Sequence, residues 1–152
     1  MKNHPNKTAF TGVLAYVDRP SDKAPAGCRG HQMLLTRQCI EDALSTLVGM
    51  CVNYRADWLS HDVHQKIGII EEAILCDDTL LVAGYVFAYD FVGVVSEIRA
   101  SAENLGMSCE LVDAHVDDMR DKVWRVSSAT FTGAAVLLRD KAAYRGTSFS
   151  LG

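Results

Sequence analysis

Two apolar runs meet across an acidic stop in the middle of the chain: KIGIIEEAIL at 66–75 and TLLVAGYVFA at 79–88, with Cys76, Asp77 and Asp78 between them. Runs rich in aliphatic and β-branched residues, separated by turn formers, read as the two arms of a hairpin. A hairpin leaves apolar faces to be covered, so the rest of the chain is expected to extend the sheet or pack helices on it.

The flanking sequence supplies both. TAFTGVLAYV (8–17) alternates like a strand, VNY (52–54) reads as a short one, and 107–114 and 122–132 read as two more joined by the acidic turn HVDDMRD. Thr36 can cap a helix with Ile40, Ala43, Leu44 and Leu47 on one face and Gly49 at its end. Asp90 can cap a second helix, 90–102, with Val94, Val95 and Ile98 inward. The segment DRPSDKAPAGCRGH holds two prolines and two glycines, so 19–30 is expected to be a flexible loop or flap. RADWLSHDVHQ (55–65) reads as a polar loop, and LLRDKAAYRGTSFSLG as a short helix fraying into a polar tail at 146–152. The count is six or seven strands and two or three short helices. The expected class is α+β: a mainly antiparallel β-barrel or sheet with a few surrounding helices, in one domain over 1–152.

Composition narrows the function. The 152 residues are enough for one real core, and a net charge of −4 argues against a nucleic-acid-binding surface. No apolar run approaches the roughly 20 residues of a membrane span, and MKNHPNKTAF lacks the apolar centre of a signal peptide. Cys28, Cys39, Cys51, Cys76 and Cys109 are odd in number with no CxxC pair. They read as reduced thiols of a cytoplasmic protein.

Ser108 follows Gly106 and Met107 at the head of a strand, which raises the question of a nucleophile. A serine nucleophile needs a base, and usually a group that orients the base. The bases on offer are His4, His31, His61, His64 and His115. His115 lies seven residues beyond Ser108, about 23 Å along an extended strand at roughly 3.3 Å per residue. His61 and His64 sit in the polar loop before a strand, where catalytic and binding residues gather. With Asp57 and Asp62 nearby, the same two histidines also read as metal ligands. Cys109 is a rival nucleophile, although strand alternation lets only one of the adjacent pair face a cleft.

The order TGVLAYVDRPSD, GHQMLLT, LVGMCVNY, SHDVHQKIGII, LLVAGYVFAYDF, LGMSCEL and FTGAAVLLRDKAAY resembles the tailed-phage prohead (capsid maturation) proteases, distantly similar to the herpesvirus assemblins. The histidine followed by an I-G strand and the later G-x-S strand are its most specific parts. The resemblance implies an assemblin-like fold and a serine endopeptidase without metal or cofactor. Its histidine falls on His61, with His64 as second choice, and its serine on Ser108. It implies a third member near the following strand, VWRVSSATFTGAA, which holds no histidine or acid. Ser128 and Thr130 from that strand, or Asp113 and His115 from the Ser108 strand, are the candidates. Gly133 and Ala134 are candidate oxyanion donors. The implied partners are a scaffold protein and the major capsid protein, cut inside the assembling prohead in the host cytoplasm, with no nucleic acid or membrane. A homodimer through 90–102 is a further expectation, and the chain reads equally as an autoprocessed, truncated or complete form of its gene product.

Overall fold

The computed structural model describes residues 4–152. Eight strands and two α-helices follow in the order β1 (Lys7–Tyr16), β2 (Gln32–Leu35), α1 (Arg37–Leu47), β3 (Cys51–Asn53), β4 (Lys66–Cys76), β5 (Thr79–Phe87), α2 (Val92–Ser101), β6 (Leu105–Val116), β7 (Val123–Leu138) and β8 (Ser148–Leu151). The expected hairpin is β4–β5, turning through Asp77 at φ 55. β1 lies antiparallel along β5, so three long strands run side by side. Their inward positions, Phe10 and Leu14, Ile67 and Ile70, Leu80, Val82 and Val86, are all at most 3% exposed. On β1 and β5 the burial has period two, which fixes the register, because a slip of one residue would turn these side chains to water; β4 keeps Ile67 and Ile70 inward across a local register shift.

β7 is the hub of the sheet. One edge carries β6, antiparallel over nearly its whole length. The other carries β2 at Val123–Val126 and β3 at Ala134–Ala135, both parallel, with α1 joining them. These two short pairings are parallel; all the other strand pairings are antiparallel, as a mainly antiparallel sheet requires. The sheet curls into a half-barrel. A side chain on Gly12 of β1 would strike Met107 Sδ of β6 at 2.6 Å, so β1 packs directly across the curl from β6.

α1 forms as its sequence dictates. Thr36 Oγ1 accepts from the Cys39 amide at 3.1 Å, Ile40, Ala43 and Leu47 are buried, and Gly49 ends the helix at φ 92. α2 differs from expectation. Asp90 does not cap it; its carboxylate accepts from Asn6 Nδ2, and only Ile98 of the helix is buried. Residues 146–152 also differ, and the reading of a polar tail is corrected. They contain β8, which pairs with β1, and Phe149 stacks on Phe10 at 4.8 Å. One aromatic at a buried position outweighs the polar residues around it. The segment 19–30 is held at its start, where Ser21 is buried and bonded to Met33 through both its amide and its hydroxyl. It carries a short 3-10 turn at Ala26–Cys28.

Candidate active site

His61 lies in the loop between β3 and β4, and that loop is braced rather than loose. Trp58, at φ 61, accepts the Leu138 amide from the end of β7 at 2.8 Å and donates Nε1 to Glu97 of α2 at 3.2 Å. Its ring packs on Tyr54 at 5.1 Å. Arg55 chelates Asp57, and Asp62 accepts from the His64 amide and from Gln65. The Asp62 amide donates to Asn53 Oδ1 at 3.1 Å, which ties the loop back to β3 beside His61.

His61 is thereby set against a residue absent from the sequence-based candidates. Its Nδ1 lies 2.7 Å from Glu110 Oε2 on β6, and the same oxygen accepts Asn53 Nδ2 at 2.7 Å. Opposite Glu110 in the ladder stands Gly133, where a Cβ would come within 2.6 Å of Glu110 Oε1. Glycine at 133 therefore makes room for the carboxylate. Burial pushes the Glu110 carboxyl up, but the His61 and Asn53 hydrogen bonds and the charges of His61 and Lys66 outweigh it and hold the group below its ordinary value. Glu110 is thus ionised at neutral pH and can only accept. The Nδ1 proton of His61 must point at it, leaving Nε2 as the free lone pair of the neutral ring.

Ser108 precedes Glu110 by two residues on β6, on the same face of the strand. Same-face neighbours stand roughly 6.7 Å apart. An imidazole that bonds a carboxylate through one nitrogen and a hydroxyl through the other bridges roughly 7–8 Å. The strand therefore carries serine and glutamate at the spacing a single bridging histidine needs. Among the described residues no hydrogen bond yet joins His61 to Ser108; such contacts often tighten only when substrate binds.

The other candidates fall elsewhere. His115 pairs with Ser128 and Val112 with Thr130 further along the β6–β7 ladder, and Asp113 sits at a bulge with φ 53. None of them hydrogen-bonds His61. Ala134 is paired on both sides, with Cys109 and with Val52. His64 is exposed, His31 stacks on Trp124 at 4.7 Å, and His4 accepts its own loop's Asn6 amide. Burial pushes the Cys109 thiol up to about 12, so it is no thiolate at neutral pH. The metal reading of His61 and His64 meets partners already engaged: Asp57 is held by Arg55 and Asp62 by backbone. Among the described residues no group of three or more His, Cys, Asp and Glu side chains is placed to hold an ion. Glu110 had one signal in the sequence, an acid two positions after Ser108 in a strand.

No family model and no curated protein matches this sequence. Solved structures do match its fold. The protease of Kaposi's sarcoma herpesvirus, in complex with a hexapeptide phosphonate inhibitor, superposes with a TM-score of 0.54 at 11% identity, over 95% of this chain and 65% of that one. The chain thus spans just under two thirds of that protease's length. The same viral protease with an allosteric inhibitor gives 0.55 at 14%, over 95% and 77%. The bacteriophage T4 capsid assembly protease gives 0.51 at 14%, over 85% of this chain and 97% of that one. The chain therefore has the assemblin-like fold that these proteases share.

Proposed function

We propose that this protein is a serine endopeptidase of phage head maturation, with Ser108 as nucleophile, His61 as base and Glu110 as the group that orients the base. The observation that carries this reading is the 2.7 Å contact of His61 Nδ1 with Glu110, two residues along the strand face from Ser108. The fold's counterparts in a herpesvirus and in phage T4 support the setting.

The chemistry follows from the tautomer. His61 Nε2 takes the Ser108 hydroxyl proton as Oγ attacks the peptide carbonyl. The tetrahedral intermediate collapses with cleavage of the C–N bond, and the imidazolium gives its proton to the leaving amine. Water, deprotonated by the same nitrogen, then attacks the acyl ester and releases the acid and free Ser108. The negative charge on Glu110 stabilises the imidazolium in both half-reactions. Gly133, an expected oxyanion donor, instead gives its space to the negatively charged Glu110 carboxylate, which would repel an oxyanion there. The scaffold protein and the major capsid protein are the proposed substrates. Their concentration inside a prohead would let a modest enzyme suffice.

The absent His61–Ser108 hydrogen bond favours one second reading, an inactive protease-fold component of the shell. Co-expression with scaffold and capsid protein separates the two, with fragments read by mass. Cleavage that vanishes in Ser108→Ala and His61→Ala and survives in His64→Ala supports the protease; intact partners beside wild type support the inactive component.

A further inference from the structure

Among the described residues the buried polar side chains are Ser21, Thr36, Asn53 and Thr147. Three of them serve backbone: Ser21 bonds Lys23 and Met33, Thr36 caps α1, and Thr147 bonds Tyr144 and Met107, all through main-chain groups. Asn53 differs, because one end of its amide bonds a carboxylate. A buried amide costs stability unless both its ends are paired, and Asn53 is 2% exposed.

Both ends are dictated. Ionised Glu110 only accepts, so Nδ2 must face it, at 2.7 Å; the Asp62 amide only donates, so Oδ1 must face that, at 3.1 Å. Aspartate, of the same shape, would offer two acceptors and no donor.

The first of these bonds crosses a strand. Asn53 and Ser108 both stand opposite Ala135 of β7, and so in one row across the sheet; Glu110 stands opposite Gly133 in the same ladder. Val52, Met107, Ala134 and Val136 belong to the apolar core, which leaves Asn53, Ser108 and Ala135 on the other face. β3 and β6 are thus two strand spacings apart, roughly 9.6 Å. Asn53 and Glu110 close that gap over Gly133 and Ala135, where larger side chains would stand in the way. Asp62 follows His61, so one end of the amide holds the partner of the ring and the other holds the ring's own main chain.

We propose that Asn53 is a positioning residue of this site: its side-chain amide clamps Glu110 to the loop that carries His61, and so keeps the imidazole aimed at the Ser108 strand. The proposal rests on the protease reading for the reaction, though not for the clamp. The other charged groups about the pair are Lys66 at the head of β4 and Asp62 and His64 in the loop, while β7 presents only Gly133 and Ala135.

The test uses two variants. Asn53→Ala removes both ends of the clamp; Asn53→Asp keeps the volume and the Oδ1 acceptor but turns a second acceptor on Glu110. Two readouts are taken on the folded proteins. The nitrogen NMR spectrum of the His61 imidazole reports its tautomer without turnover, and a small fluorophosphonate reports the reactivity of Ser108 across pH. Wild type should show the Nδ1–H tautomer alone. Asn53→Ala should show both tautomers and label about ten- to hundred-fold more slowly, as for loss of a hydrogen bond to a charged group. In Asn53→Asp the two carboxyls share a proton at neutral pH, so labelling should rise with pH over a range where wild type is already at its plateau. A lower urea midpoint with tautomer and labelling profile unchanged in both variants makes Asn53 a purely structural residue, which overturns the clamp and keeps the protease. Mixed tautomers in Asn53→Ala, with no labelling of wild type at any pH, overturn the protease and keep the clamp. Mixed tautomers in an unreactive wild type overturn both. If Asn53→Ala does not fold, the Asn53→Asp profile decides alone.

Discussion

Replacing Glu110 separates its charge from its position. His61 Nδ1 and Asn53 Nδ2 both approach one oxygen, Oε2. In Glu110→Gln the amide oxygen can take that place and still accept both, so the tautomer survives and only the charge is lost. A hydrogen bond to a charged group contributes about 1.5–3 kcal/mol and a neutral one about 0.5–1.5. The difference, about 1.5 kcal/mol, is roughly a ten-fold loss of rate. Glu110→Ala removes the acceptor as well and frees the ring, for which about 10²- to 10⁴-fold is expected. The assay is the rate of fluorophosphonate labelling of Ser108 across pH. The same carboxyl sets an acid limit on stability. Held below its unfolded value of about 4.3, it contributes stability that is fully present above that pH and lost as pH falls through the depressed folded value. Wild type should therefore lose more of its urea midpoint below about pH 4.3 than Glu110→Gln does. Labelling of a folded Glu110→Ala protein at the wild-type rate would refute the role of Glu110. A Gln variant as slow as Ala would refute the shared-oxygen argument.

Gly133→Ala should push the Glu110 carboxylate off His61, since the new Cβ would stand 2.6 Å from Oε1 and 2.9 Å from the Cys51 carbonyl at φ 155; slower labelling and about 1–3 kcal/mol of lost stability are expected by urea titration. Thr36→Ala removes the α1 cap and should cost about 1 kcal/mol in the same titration, with labelling unchanged.

What the sequence disclosed follows the range of the interactions. The β4–β5 hairpin and α1 were legible because turn, cap and apolar period lie within a dozen residues of one another. β2 and β8 were not, because four residues such as QMLL or SFSL become strands only through partners far away, β7 and β1. Asp90 had the chemistry of a cap, but Asn6 competes for it from the far end of the chain. At the site, Ser108 and His61 were singled out through the resemblance to the prohead proteases. Glu110 and Asn53 were not, because their role is set by a loop folding back on two strands, which no local pattern encodes. Gly133 was singled out for close approach to substrate; the approach the structure shows is that of Glu110.

The pairing of β1 with β8 has a bearing on when the molecule becomes competent. Phe10 meets Phe149 across almost the full chain, and Thr147, beside β8, caps the Met107 amide next to Ser108. A ribosome delivers residues 147–151 after every other described strand. Until then the first strand, paired with β5, lacks its second neighbour, and the serine strand lacks its cap. Contacts this distant along the chain form slowly, so among the described strands the serine strand gains its cap late, only once β8 has been made.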